Sequence, residues 1–188
     1  MSYLDVVDHV SLFRCLHSLD VELADKVRTK RCPLCGGPLH SGAYKRQPRG
    51  EGEDVEIPEE FRQRLGLCCG WCRRRTLPPS CLYLGRKVFW GCIVMLVTAA
   101  AQGLGNHTIT ELCARFDVSR RTVKRWVSFF EVLFPSSAPW QRLRGRVGVE
   151  VRTEELPRGL VACFLANCED AQSAVVSCLG AVARASMG

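Results

Sequence analysis

The residues in this sequence best suited to chemistry are cysteines in two matched pairs. Cys32-Pro-Leu-Cys35 runs into Gly36-Gly37, and Cys69-Gly-Trp-Cys72 repeats the same interval further along the chain. Two thiolates separated by two residues can bite one ion, and the glycines let backbone amides turn toward the sulfurs. Two such bites make a tetrahedral S4 set, which suits one structural Zn2+ and leaves no open position for catalysis. The alternative is four buried free thiols, which the spacing disfavours. Cys68 adjoins Cys69 and also has an allowed interval to Cys72, so the third ligand is open between the two. His40 is expected in solvent and Cys81 in packing. Of the 12 cysteines, Cys92, Cys113, Cys163 and Cys178 fall inside apolar stretches, where a thiol behaves as a small hydrophobe.

The second constellation is basic. Ser119 precedes Arg120-Arg121-Thr122-Val123-Lys124-Arg125-Trp126. Val123, Val127 and Phe130 fall on one helical stripe with Trp126 beside them, so Arg120, Arg121, Lys124 and Arg125 project outward from the first turns. Upstream, Thr108-Ile-Thr-Glu111 has the pattern of a capping box, and Leu112, Cys113 and Phe116 form an apolar face. Asp117-Val118-Ser119 makes a turn in which Asp117 tolerates left-handed geometry and Ser119 caps the next helix. A helix-turn-helix over 108–133 is predicted, with Ser119, Arg120, Arg121, Thr122, Lys124 and Arg125 offered to double-stranded DNA. The plain alternative is a helical hairpin with a solvated basic face. Arg73-Arg74-Arg75 leave the second cysteine pair as a basic strand edge, suited either to phosphate or to solvent. Arg142, Arg144, Arg146 and Arg152 are expected to extend the basic surface.

Other chemistry has little to stand on. The four histidines (His9, His17, His40, His107) are scattered, and no nucleophile-elbow, P-loop or zincin pattern occurs. His9 and His17 are expected on helix surfaces.

The elements that must position these groups follow from periodicity. Residues 3–28 carry apolar positions at helical spacing, as one short helix or as two with a break near Asp20. Residues 30–80 are rich in Gly, Pro and Cys, with strands at 38–46 and 65–69, a helical hint at 58–65 and a protruding loop at 47–60. Helices are predicted at 86–102, 108–116, 119–134, 140–146, 154–166 and 169–185. The expected fold class is mostly α with a small β zinc ribbon (α+β). Its divisions are N-terminal helices at 1–29, the zinc ribbon at 30–80, a helical region with the helix-turn-helix at 85–134, and C-terminal helices at 139–188.

Bulk composition agrees with a folded, anion-binding protein. Apolar residues make up 47% and charged residues 24%, and the net charge of +7 is concentrated between Lys45 and Arg158. Residues 1–13 contain Asp5 and Asp8 and lack signal-peptide organisation, so a cytoplasmic, nucleoid-associated location is expected. There, clustered cysteines read as metal ligands. The apolar run 88–101 is 14 residues long, short of the roughly 20 needed to span a bilayer. It is expected as a core helix, and no membrane partner is implied.

The motifs CPLCGGPL, CCGWCRRRTLPPS and FDVSRRTVKRW together resemble the DNA-binding part of bacterial insertion-sequence transposases and transposon-associated proteins, over about residues 30–134. The resemblance implies that Cys32, Cys35, Cys69 and Cys72 hold zinc and that the basic residues at 120–125 face DNA. A transposase also needs three carboxylates on a mixed α/β domain to hold two metal ions. The 54 residues after Phe134 are too few for that domain, and Glu150, Glu154, Glu155, Glu169 and Asp170 look like surface positions near helix starts. The expectation is a non-enzymatic, sequence-specific DNA-binding protein of mobile-element type, accessory or regulatory, with a recombinase or a second copy as partner. The alternative is a zinc-ribbon adaptor that docks or oligomerises through its C-terminal helices, 160–185.

Overall fold

Helix α1 (Val10–Thr29) follows a 3-10 turn at Asp5–Asp8 and buries Leu12, Phe13, Leu16, Leu23 and Ala24 along one face. The computed structural model describes residues 3–51, 55–84, 88–147 and 151–187. Of the two expected forms the single helix is the one observed, running unbroken through Asp20. Asp20 is buried and its carboxylate accepts hydrogen bonds from the Ser80 hydroxyl and from the Cys81 amide, the latter at 2.5 Å. The small helix penalty of an aspartate is outweighed by satisfying the Ser80 hydroxyl and the Cys81 amide of the turn at 80–83. Burial pushes its carboxyl above the usual range, against the pull of the Ser80 and Cys81 donors.

The β segment begins after α1. Strands β1 (Leu39–Ser41), β4 (Leu67–Cys69) and β5 (Arg75–Thr76) form an antiparallel sheet in the order β1-β4-β5, with Leu39 opposite Cys69 and Cys68 opposite Arg75. Strands β2 (Tyr44–Lys45) and β3 (Gln63–Arg64) form a separate antiparallel pair. The single strand expected at 38–46 is therefore split. Gly42 and Gly66 meet at the split, where the Gly42 amide bonds the Gly66 carbonyl at 2.8 Å. A Cβ on Gly66 would stand 3.0 Å from the Gly42 oxygen, so the close approach favours glycine. The helical hint at 58–65 is a 3-10 turn at Glu59–Arg62.

The loop expected to protrude at 47–60 is partly anchored. Arg49 bridges Phe89, with its amide on the Val88 carbonyl at 2.9 Å, while Gly50, Ile57 and Phe61 are buried. Residues 52–54 of that loop lie outside the described residues.

Helix α2 (Gly91–Ala101) is buried on nearly every side, as an all-apolar helix must be. It starts later than the predicted residue 86, because Phe89 and Trp90 are extended beside Arg49; residues 85–87 are outside the described range. A Cβ on Gly91 would lie 2.6 Å from the Cys81 carbonyl oxygen, so only glycine starts the helix there. Among the described residues no helix is long and apolar enough to cross a membrane.

Helices α3 (Ile109–Arg115) and α4 (Arg120–Ser128) follow, and α4 widens into a π turn at Phe129–Leu133. Phe130, Phe134 and Trp140 then pack in series, with ring centroids 5.3 and 6.1 Å apart. The remaining helices are α5 (Ala138–Leu143), α6 (Arg158–Asn167) and α7 (Ala171–Ala185), with a 3-10 turn at Thr153–Glu155 before α6. Leu160, Val161, Val175, Cys178, Leu179 and Val182 are buried in the main core, where α7 packs on α1, α5 and α6. These buried residues serve the chain's own core, while Cys163, Phe164 and Leu165 of α6 are only partly buried.

The fold is mostly helical with a small antiparallel sheet, as the sequence implied. Buried side chains fall into two clusters. The larger joins the N-terminal segment, residues 57–61, 81–83 and all helices from α2 onward. The smaller contains Cys32, Leu39, Leu67 and Cys69, with Val27 of α1 against it.

Candidate metal centre and nucleic-acid interface

The sheet brings four sulfurs together. Those of Cys32, Cys35, Cys69 and Cys72 all lie within 4.8 Å of one another, with Cys32 to Cys72 at 3.7 Å and Cys35 to Cys69 at 3.5 Å. A tetrahedral site with metal–sulfur bonds of about 2.3 Å requires sulfurs about 3.8 Å apart. The four could hold one metal ion.

The backbone explains this convergence. The Gly36 amide returns to the Cys32 carbonyl at 2.9 Å, and the Arg73 amide returns to the Cys69 carbonyl at 3.1 Å. Each of these fourth residues is left-handed, Gly36 at φ 71° and Arg73 at φ 59°. The two knuckles are the same turn built twice, once with glycine and once with arginine. A Cβ on Gly37 would come within 2.9 Å of the Cys69 sulfur, so that position must stay bare for the knuckles to meet.

Amides aimed at sulfur set the thiol chemistry. The Cys72 amide, helped by that of Trp71, draws the Cys69 thiol down to about 6. The Leu34 amide lowers Cys32 in the same way. At Cys72 the pull of the Arg74 amide is overcome by burial and by neighbouring sulfurs, which push it up to about 12. Four thiols this close cannot all ionise unaided, and a divalent cation removes the conflict.

Strand alternation separates the two adjacent candidates for third ligand. Cys69 faces the cluster, whereas the Cys68 sulfur lies 3.6 Å from the Arg73 carbonyl oxygen. His40 is exposed on β1, and a Cβ on Gly70 would touch its Nε2 at 2.9 Å. Cys81, Cys92 and Cys178 are buried, and burial pushes the last two up to about 12. Cys113 and Cys163 are only partly buried. Arg73, Arg74 and Arg75 are all exposed, but only Arg75 belongs to a strand; Arg73 and Arg74 lie in the knuckle.

The second site is built on α2, α3 and α4. Thr108 and Glu111 form a reciprocal capping box: the Glu111 amide donates to Thr108 Oγ1 at 3.2 Å and the Thr108 amide to Glu111 Oε2 at 2.8 Å. Asp117 takes the left-handed turn position at φ 44°, and the buried Val118 returns its amide to the Cys113 carbonyl at 3.1 Å. Ser119 caps α4, accepting from the Thr122 amide at 3.1 Å. Val123, Trp126 and Phe130 are buried, and Trp126 meets Phe89 edge-on at 5.0 Å. Arg115 ties α3 to the N-terminal turn through Asp5 at 3.3 Å and Asp8 at 2.7 Å.

Among the residues expected to contact DNA, Arg120, Arg121, Lys124 and Arg125 are exposed. The guanidinium of Arg120 is held by Thr110 Oγ1 at 2.6 Å, while Arg121, Lys124 and Arg125 form no ion pair among the described residues. Ser119 and Thr122 face each other, oxygens 3.0 Å apart, and serve the cap. Farther along, Arg142 caps the end of α7 at the Ala185 carbonyl and Arg144 bonds Gln141, so these two have structural partners.

Two features escaped the sequence reading. Helix α2 is the first helix of this three-helix unit, but its uniformly apolar composition marked it only as core. The exposure of Leu34 and Trp71 at the knuckle tips left no periodic signal.

A family model described as a helix-turn-helix domain matches residues 96–131, which begin inside α2 and end in the π turn after α4. No curated protein and no solved structure matches the chain. The match and the geometry agree on the element that matters: residues 96–131 carry a helix-turn-helix, the kind of domain that binds DNA.

Proposed function

We propose that this chain is a sequence-specific double-stranded-DNA-binding protein of mobile-element type, accessory or regulatory. Helix α4 enters the major groove by its N-terminal turns. Arg121, Lys124 and Arg125 supply base-edge and phosphate contacts, and Arg120 is steadied by Thr110. Cys32, Cys35, Cys69 and Cys72 hold one structural zinc ion, whose role is to fold the two knuckles and the β1-β4-β5 sheet as a ribbon. The N-terminal helices at 1–29 and the C-terminal helices at 139–188 brace the helix-turn-helix at 108–133.

The observation that carries this reading is the division of α4 into two faces. Val123 and Trp126 are buried on one, and three cations that form no ion pair among the described residues stand on the other. Arg120–Ser128 contains no acidic residue to offset them within the helix, and Asp117, four residues before Arg121, forms no ion pair with it.

Gel-shift selection with randomised duplexes tests the proposal. The wild-type chain should enrich a defined site, and Arg121→Ala/Lys124→Ala should not. Incubation of supercoiled plasmid with the protein and Mg2+ should leave it uncut; metal-dependent nicking that survives purification would instead show catalysis.

A further inference from the structure

The four-cysteine end of the sheet carries two large apolar side chains that no other described residue covers, Leu34 at 69% and Trp71 at 67% exposure. Each sits two residues after the first cysteine of its knuckle. The other three tryptophans are between 0% and 4% exposed, so Trp71 is the exception in this chain.

Its indole is not loose. A Cβ on Gly37 would lie 2.9 Å from Trp71 Cδ2 and 3.0 Å from Cε3, so the ring rests against the glycine backbone of the opposite knuckle. The rest of the ring faces solvent. The charged side chains of the two knuckle segments are of one sign: residues 30–46 and 63–77 contain no aspartate or glutamate, and their cations include Lys30, Arg31, Arg73, Arg74 and Arg75, whereas Arg64 is buried and Lys45 pairs with Glu59. Arg31, Arg73 and Arg74 are exposed, and Arg31 is steadied by a 3.4 Å bond from Nη1 to the Gly36 carbonyl.

We propose that this tip is a second nucleic-acid site, which binds single-stranded DNA by stacking an unpaired base on Trp71 while Arg31, Arg73 and Arg74 take the flanking phosphates. A fixed aromatic platform inside a cationic, carboxylate-free surface is the arrangement that single-strand binding requires, because every base has a π face and every linkage a charge. Base faces inside a duplex are already stacked, so the tip and α4 recognise different forms of DNA. The site does not depend on the duplex-binding reading.

The test is tryptophan emission of the full-length, metal-loaded chain titrated with oligo-dT. Because the other three indoles are buried, the red-edge emission reports Trp71. Oligo-dT should quench it, and Trp71→Ala should weaken oligo-dT binding about tenfold or more, with Trp71→Phe keeping most of the affinity. Both variants should bind duplex as the wild type does. Arg121→Ala/Lys124→Ala should weaken duplex binding and leave the quenching intact, so the two sites fail separately. Absence of quenching in folded, metal-loaded protein, or unchanged oligo-dT binding by Trp71→Ala, overturns the proposal and leaves the tip to a protein partner.

Discussion

Removing the metal, by chelation or by Cys69→Ser, should unfold one half of the β segment and spare the other. The smaller cluster of buried side chains holds only Cys32, Leu39, Leu67 and Cys69. Two buried leucines contribute about 3–6 kcal/mol together, whereas a structural zinc site of this kind contributes about 10–16 kcal/mol. With zinc held as proposed, the knuckles and the β1-β4-β5 sheet depend on the ion. Strands β2 and β3 do not, because Ile57 and Phe61 beside them lie in the main core and the Tyr83 hydroxyl bonds the Phe61 carbonyl at 2.9 Å.

Hydrogen exchange read by mass spectrometry separates the two halves. Peptides covering 32–41 and 67–76 should lose protection by a factor of about a thousand or more without metal, while those from α2, α4 and α7 keep theirs. The Cys69 amide, bonded to the Arg74 carbonyl at 3.0 Å, is the sharpest single reporter. Slow exchange at that amide in metal-free protein would refute the reasoning.

Three further outcomes follow from individual residues. Asp20→Ala strips the acceptor from the Cys81 amide and the Ser80 hydroxyl, and should destabilise the chain by about 2–5 kcal/mol in denaturant melts; a loss under 1 kcal/mol would mean water serves that turn. Arg73→Gly relieves the left-handed strain at φ 59° and should raise the stability of the metal-loaded protein by about 0.5–1 kcal/mol, after allowing for the extra freedom of glycine when unfolded; destabilisation would show that the arginine side chain has a structural role. The carboxyl of Asp170 is held below its usual range by the Ser173 hydroxyl and amide, and that of Glu111 by the Thr108 amide. A depressed carboxyl adds stability that is complete above its unfolded value near 4 and is lost as pH falls through the folded value. The double variant Asp170→Asn/Glu111→Gln should therefore flatten the acid limb of a pH–stability curve; an unchanged limb would show that other groups set it.

Local chemistry was legible in the sequence where one residue type does one job. The capping box at Thr108 and Glu111, the Ser119 cap and the left-handed Asp117 each follow from side-chain reach over three or four residues. The convergence of four thiols followed from spacing alone. Long-range satisfaction was not legible. Asp20 left one helix or two open because its partners, Ser80 and Cys81, lie 60 and 61 residues away. The strand expected at 38–46 was split by the meeting of Gly42 with Gly66, a tertiary contact that neither local stretch announces. Arg49 and Gly50 read as loop residues until Phe89 and Ile93 came to lie beside them. The role of α2 was hidden for a related reason, since a helix buried on all sides carries no stripe to show which neighbours it serves.

The central claim is that α4 binds duplex DNA through its cations. Equilibrium binding of labelled duplex between 50 and 200 mM salt tests it most directly. If Arg120, Arg121, Lys124 and Arg125 neutralise about four phosphates, affinity should fall about 150-fold across that range, and only about 12-fold for Arg121→Ala/Lys124→Ala. Salt-independent binding, equal slopes for the two proteins, or no binding by folded, metal-loaded chain would contradict the account.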